Sequence, residues 1–476
     1  MASPAPRPNL LLIMTDQQRG DALGIDGHPD LLTPHLDALA AGGTRFRRAY
    51  SECPSCIAAR RTLLTGLKPH RHGMVGYEEG HPLEPWPTLP DLLRRAGYQT
   101  ASIGRDMHTY PEHRRYGFET LWHAPFSDVY SEFHREIRFL STRKSFHGWP
   151  HYLDHGMGPN AWTARPWPFD ERFHQTNWAV NKAIQYLDER DPSAPYFISL
   201  GFVAPHPPLV PPQFYYDRYH ARALRPPALG SWASLPGPGQ DVSSARVNLA
   251  GESLQACLAG YYGLINHVDD QVGLLLQRLS MEKDPPVILF TSDHGEMLGD
   301  HGLFRKCMGY EGSARIPLLL SGPGIERGAV SDAPVALQDV LPTFLALAGV
   351  EVPRGVDGGD LRTAGSGIPG GSRPWRECLH GEHAATYADV SGMHYLTDGR
   401  WKYLWHSADG REQFFDLAAD PRELTDLAGL ESHRAALAAW RGRLAEELAG
   451  RPEGFVSSGA LVPGRPHAPL VPTASR

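Results

Sequence analysis

Three short apolar runs in this chain each break abruptly into polar residues. Leu10 to Met14 runs into Thr15-Asp16-Gln17-Gln18, and Val287 to Phe290 into Thr291-Ser292-Asp293-His294-Gly295. Tyr196 to Phe202 leads in the same way to Ala204-Pro205-His206-Pro207. Continuous apolar runs of this length read as strands buried on both faces, as in a parallel sheet. Their polar ends then fall at one edge, where open α/β sheets place their ligands. Between the runs lie helix-period segments. Leu258, Tyr261, Ile265, Val268, Val272, Leu275 and Leu279 recur at spacings of three and four, the stripe of an amphipathic helix. Thr88 to Ala96 is a shorter helical segment with Gly97 as its stop signal. Strands alternating with helices predict an α/β fold, with a large mixed, mainly parallel sheet covered on both faces.

The pattern changes after Val350. Pro353, Gly355, Gly358 and Gly359, then Gly365 to Pro374, read as linker or loop. Beyond them, His394 to Trp405 and Gln413 to Leu417 predict a small antiparallel sheet with Asp398-Gly399 as a hairpin turn. A helix follows over His433 to Leu448, with Leu437, Trp440, Leu444 and Leu448 on one stripe. This divides the chain into a catalytic domain, 1–375, and a C-terminal subdomain, 376–476, ending in a tail rich in Pro and Gly. That tail is free or draped over a neighbour, which makes a homo-oligomer an expectation. Pro205 to Gly239 is long and Pro-rich enough for an active-site lid. Tyr110 to Pro168 carries Tyr130, Phe133, Trp149, Trp162 and Trp167, which stack on a ring-bearing substrate or pack as core.

Composition narrows the class. In 476 residues, 41% are hydrophobic and 21% charged, enough for a sizeable core. A net charge of −7 gives no global attraction to nucleic acid or acidic lipid. An anionic substrate therefore needs a locally positive pocket. No secretory signal and no membrane-length apolar stretch is read, so a cytoplasmic location is expected. Five scattered cysteines argue against a disulfide framework.

Two of those cysteines form Cys53-Pro-Ser-Cys56. A C-x-x-C suits a redox pair or half a zinc site, but Cys257, Cys307 and Cys378 supply no second pair. Cys56-Ile-Ala58-Ala-Arg60 followed by Leu63-Leu-Thr-Gly66 instead resembles the modification motif of the sulfatase family. Ala58 stands where proline is commoner. The resemblance extends to Val268-Asp-Asp-Gln-Val, Ile316-Pro-Leu-Leu-Leu-Ser-Gly-Pro-Gly, Asp398-Gly-Arg-Trp-Lys402-Tyr and Phe415-Asp-Leu-Ala-Ala-Asp420-Pro. It implies an alkaline-phosphatase-like α/β sandwich with a smaller C-terminal subdomain. It also implies that a formylglycine-generating enzyme oxidises Cys56 to formylglycine, the nucleophile toward a sulfate monoester. The hydrated aldehyde offers one hydroxyl for attack and a second whose deprotonation expels sulfate.

The resemblance assigns further roles. Asp16, Gln17, Asp293 and His294, with the oxygen at position 56, would hold one Ca²⁺, Mg²⁺ or Mn²⁺; oxygen donors suit such hard cations. Gln17 and His294 replace an Asp and an Asn found in many members, which tilts the preference toward Mn²⁺. Lys306 and Arg60 would stabilise charge, His206 would be the leaving-group acid, and His108 would be the elimination base. Arg105 and His383 are candidate substrate contacts, Arg105 replacing a family lysine with one extra residue before His108. The same Asp-Gln and Asp-His pairs occur in phosphonate monoester and phosphodiester hydrolases, the alternative reading. Singly, these residues also fit blander roles, as helix caps, core histidines or solvated surface charges. An unmodified, non-catalytic binding protein would lack the ligands or Arg60, and a phosphatase or phosphomutase relative would carry Ser or Thr at position 56.

Overall fold

The structure is a computed structural model describing residues 7–83, 86–108, 110–111, 114–124, 132–133, 135–136, 157–364, 375–386 and 392–471. Tyr130, Trp149 and the linker 365–374 lie outside the described residues. The main sheet has eight strands: β1 (Leu10–Asp16), β2 (Gly43–Phe46), β3 (Gln99–Gly104), β4 (Thr120–His123), β5 (Tyr196–Pro205), β6 (Val287–Ser292), β7 (Leu318–Ser321) and β8 (Ala329–Ser331). Their spatial order is β4-β3-β5-β1-β6-β7-β2-β8. The block β4-β3-β5-β1-β6 is parallel throughout, and only β7 runs against both its neighbours. The mixed, mainly parallel α/β sheet is the predicted one.

Alternation along the strands explains why both faces are covered. Leu11 and Ile13 of β1 join one core with Ile198, Leu200, Ile288 and Phe290. Leu10, Leu12 and Met14 point the other way, with Phe197, Val287 and Leu289. Each fully buried side chain of this kind contributes about 1.5–3 kcal/mol, so both faces demand helices. The helices used below are α1 (Cys56–Thr65), α2 (Leu89–Arg95), α3 (Gln175–Glu189), α4 (Gln213–His220), α5 (Gly251–Leu279), α6 (Val340–Leu347) and α7 (Arg434–Glu447). α3 and α5 cover the first face, and α1, α2 and α6 cover the second. The predicted stripe from Leu258 to Leu279 is buried along α5.

A second sheet of four antiparallel strands, β9 (Leu379–His383), β10 (Met393–Thr397), β11 (Trp401–His406) and β12 (Glu412–Asp416), follows in simple order. Gly399 takes φ 88° in the β10–β11 turn, as its Asp-Gly signal predicts. β9 is an addition to the predicted hairpin strands; its His-Gly-Glu sequence carries no β pattern, and pairing to β10 makes it a strand. The Pro205–Gly239 stretch, expected as a lid, is anchored along part of its length. It contains α4 packed on α5, and its far end is tied down by Ser231 N to Leu424 O (2.9 Å) and Trp232 Nε1 to Glu423 O (2.7 Å).

The described part of the C-terminal arm folds back on its own chain. Val75 N donates to Pro469 O (2.8 Å) and Val471 N to Gly73 O (3.0 Å). His467 lies parallel to His394 at 4.9 Å between centroids, and its Nδ1 meets Ser407 Oγ at 3.2 Å. Glu382, His394 and His467 bring possible ligand atoms within 4.8 Å of one another. Arg451 already bonds both Glu382 oxygens, at 3.0 and 2.9 Å, and the parallel rings keep their in-plane lone pairs from converging on one ion. The cluster is a clasp for the arm. Arg451→Ala strands a buried carboxylate and should cost about 3–5 kcal/mol in chemical denaturation. Glu382→Gln added to it should restore part of that, and a loss below about 1 kcal/mol would contradict the clasp.

Candidate active site

Four adjacent parallel strands end at one edge and deliver the polar residues there. β1 ends in Asp16, and Gln17 follows; β6 ends at Ser292, followed by Asp293 and His294. β5 ends at Pro205, followed by His206, and β3 at Gly104, followed by Arg105. Gly104 is required at this edge. It takes φ 83°, and a Cβ on it would lie 2.1 Å from Gly201 O across the β3–β5 pair.

Helix α1 adds the rest. Cys56 is its first residue, and Ser55 at the N-cap makes no side-chain bond to it. The positive end of the helix dipole is therefore left for whatever charge develops at position 56. Arg60 lies four residues on, on the same face. Its Nη2 reaches Asp16 Oδ2 at 3.2 Å and Asp293 Oδ2 at 2.9 Å, and its Nη1 donates to Asp106 O at 2.8 Å. All three side chains of the Asp16–Arg60–Asp293 bridge are fully buried.

Cys56 Sγ sits 3.2 Å from His294 Nε2 and 3.7 Å from Asp16 Oδ1. His294 Nε2 is 3.6 Å from Asp293 Oδ1. Asp16, Cys56, Asp293 and His294 thus bring ligand atoms within 4.8 Å of one another. His294 Nδ1 donates to Gly295 O (2.9 Å), which leaves the Nε2 lone pair facing the cluster. Two carboxylates and an oriented neutral imidazole fit a divalent cation. Burial holds His294 below its usual range. Burial would raise Asp16, but the basic groups around it, His206, Arg60, Arg105 and Lys306, outweigh it and hold it well below. Burial, reinforced by Asp16, pushes the Cys56 thiol up to about 12. As a plain thiol, position 56 would be an unreactive neutral group.

On one side of the cluster, Lys306 Nζ lies 2.8 Å from His206 Nε2 and 2.7 Å from Gln17 Oε1. His206 Nδ1 donates to Pro207 O (2.5 Å), so Nε2 is the acceptor for the lysine. Burial and then Lys306 keep the imidazole neutral. The proton on this side therefore resides on Lys306. On the opposite side, Arg105 donates through Nη2 to His108 Nε2, bonds Asp106 Oδ1 at 2.7 Å and reaches Asp16 Oδ2 at 3.2 Å. Burial, then Arg105, lowers His108 to about 3, so it stands as a free base.

Every predicted residue except His383 falls within this connected set. The His383 ring is buried at the end of β9, with Nδ1 on Ala384 O at 2.5 Å and no hydrogen bond to the cluster. Sequence reasoning missed Asp106, Tyr261 and Glu296. Asp106 pairs with Arg105 and, through Oδ2, accepts from His108 N at 3.1 Å. Tyr261 Oη donates to Gln17 O (2.8 Å) and accepts from Arg19 N (3.0 Å), bracing Gln17 at φ 74°. Asp106, between Arg105 and His108, was the one with a local signal.

Arg60→Ala would leave two buried carboxylates short of their shared cation. In chelator it should lose about 3–5 kcal/mol of stability. Adding Mn²⁺ or Ca²⁺ should raise its unfolding midpoint more than that of the unmutated chain, since the ion takes over the neutralising role. Unchanged stability in chelator would remove the brace from this account.

The comparisons agree with this geometry. The sulfatase family profile matches residues 8–350, and a profile for the C-terminal part of N-sulphoglucosamine sulphohydrolase matches 299–449. An arylsulfatase of Clostridium perfringens is 38% identical, with 98% of this chain and 99% of that protein covered. A choline-sulfatase of Rhizobium meliloti is 33% identical, covering 89% and 82%. The phosphonate monoester hydrolase structure from Agrobacterium radiobacter superposes with a TM-score of 0.76 at 26% identity, covering 97% of this chain and all of that one. Carrying its strand-end carboxylates and its Cys56 motif in one place, the chain belongs to the sulfatase family, the hydrolases of sulfuric esters.

Proposed function

We propose that this chain hydrolyses aryl or carbohydrate sulfate monoesters with Cys56, as formylglycine, the nucleophile. The observation that carries this is the convergence of Cys56 with Asp16, Asp293 and His294 at the N-terminus of α1. Gln17 joins those residues as ligand of one divalent ion, Mn²⁺ being favoured over Ca²⁺ or Mg²⁺ by the imidazole. When bound, such an ion acidifies the hydroxyl it touches and screens the charge on sulfate. A formylglycine-generating enzyme is the maturation partner. Residues 1–375 form the catalytic unit and 376–476 the subdomain beside it. Among the described residues no helix is long and apolar enough to cross a membrane.

The chain's own groups divide the remaining work. Arg60 and the dipole of α1 stabilise negative charge at position 56. Lys306 presents its ammonium to the sulfate and the leaving oxygen, and His206 takes up its orientation from the other side. Lys306 is the stronger candidate for donating the proton, because His206 is neutral and accepts from it. His108, neutral and accepting from Arg105 through Nε2, is the base for the second hydroxyl of the hydrated aldehyde once Arg105 releases that nitrogen. Arg105 acts as a brace on Asp16 and His108 before it acts as a sulfate contact. His383 remains a candidate for the outer substrate wall.

A phosphonate monoester is the second reading, favoured by the Agrobacterium structure's coverage of nearly the whole chain. The deciding measurement is kcat/KM for an aryl sulfate against the matched aryl phosphonate monoester, using chain co-expressed with a formylglycine-generating enzyme and Mn²⁺. Preference for sulfate is expected, and Cys56→Ala should abolish turnover. Mass spectrometry should show the Cys56 side chain replaced by an aldehyde. A preference for phosphonate would replace the substrate reading, and full activity of Cys56→Ala would end the nucleophile assignment.

A further inference from the structure

Gln17 raises a question of orientation that an aspartate would not. A carboxylate offers the same oxygen on either side, whereas an amide offers oxygen on one and NH₂ on the other. Only the oxygen binds a hard cation, so a flipped Gln17 would turn a donor toward the ion. We propose that Glu296 is the positioning residue that fixes the Gln17 amide, so that Oε1 faces the metal position. This inference rests on the metal-site reading above.

The geometry is specific. Glu296 is 1% exposed and lies three residues after Asp293. Its Oε1 accepts from Leu298 N at 2.8 Å and from Arg305 N, which pins the carboxylate to the backbone of the loop carrying Lys306. Its Oε2 accepts from Gln17 Nε2. Gln17 Oε1 in turn accepts from Lys306 Nζ at 2.7 Å. With the amide flipped, NH₂ would face an ammonium and the carbonyl would face the Glu296 carboxylate, two repulsive contacts in a buried site.

Lys306 selects the same orientation, but it is shared. It also bonds His206 Nε2, and it must turn toward the sulfate group during turnover. Glu296 has no such second duty, so it alone holds the amide throughout. The backbone is held separately: Gln17 N donates to Asp293 Oδ1 at 3.1 Å, and Tyr261 braces its carbonyl. Glu296 therefore controls the side chain's polarity rather than its place.

The test is an exchange of the two groups, read by Mn²⁺ affinity in calorimetric titration of metal-stripped full-length chain. Glu296→Gln keeps the acceptor for Leu298 and Arg305 but turns NH₂ toward Gln17, forcing the amide over; Mn²⁺ should bind roughly 10–100-fold more weakly. Gln17→Glu sets two carboxylates against each other and should also misplace the ligand. The double variant, Gln17→Glu with Glu296→Gln, restores one donor facing one acceptor. It should bind Mn²⁺ at least as tightly as the unmutated chain, a rescue that a merely structural role for Glu296 would not give. Wild-type affinity in Glu296→Gln, or no recovery in the double variant, would overturn the proposal. If Glu296→Gln does not fold, the double variant is compared with Gln17→Glu: both carry the added carboxylate, so tighter Mn²⁺ binding in the double variant reads the pairing with residue 296, and equal binding overturns it. Asp293→Asn separates the two readings: if it leaves Mn²⁺ binding untouched, the metal site itself is misassigned.

Discussion

Two carboxylates, Asp16 and Asp293, are fully buried at the ends of adjacent strands, and one guanidinium bridges them. Burying either charge alone is strongly unfavourable, and removing one partner of such a set costs more than the pair gains. The bridge therefore fixes several things together. It holds β1 and β6 in register at their polar ends, seats α1 against the sheet edge through Arg60, and so places Cys56, one turn earlier, over the carboxylates. Placement of Cys56, the proposed nucleophile, follows from neutralising the two carboxylates.

The same logic sets the protonation states around position 56. Arg60, Arg105 and Lys306 keep Asp16 ionised in spite of its burial, while burial keeps His206, His294 and His108 neutral. The site thus holds an ionised Asp16, neutral imidazoles at His206, His294 and His108, and a protonated Lys306 at once. These are the states that binding a cation and hydrolysing an anionic ester call for, with little reorganisation left for the reaction itself.

Much of this was legible because strand ends and helix starts are local events. An apolar run that stops at Asp16-Gln17 or at Asp293-His294 announces both a buried strand and what it delivers, and Cys56 to Arg60 carries its own helical spacing. The groups that hold these residues in place were not legible in the same way. Tyr261 looked like one more apolar position on the α5 stripe, yet its hydroxyl reaches the Gln17 carbonyl across 244 positions. Glu296 meets Gln17 across 279 positions, and no periodicity records such a contact. The packing of the arm on its own chain is illegible for a related reason. Proline and glycine mark it as irregular, but they do not say that His467 and Arg451 fasten it to Glu382 and its neighbours.

The arm also draws the C-terminal subdomain into the wall of the site. Leu470 packs with Ile57, Ala58 and Met74, so the last described turns of the chain rest against the helix whose first residue is Cys56. On another side, Tyr395, Leu404 and Phe415 of the small sheet share a core with Tyr50, Met297 and Tyr310. Met297 follows Glu296, and Tyr50 lies shortly before the Cys53–Cys56 turn. Both halves of the cluster, the nucleophile helix and the loop after β6, are thus packed against the subdomain. Protein interiors are too densely packed to let one such contact shift without moving its neighbours. The C-terminal segment is therefore a structural support of Cys56 and of the Asp293–Glu296 loop.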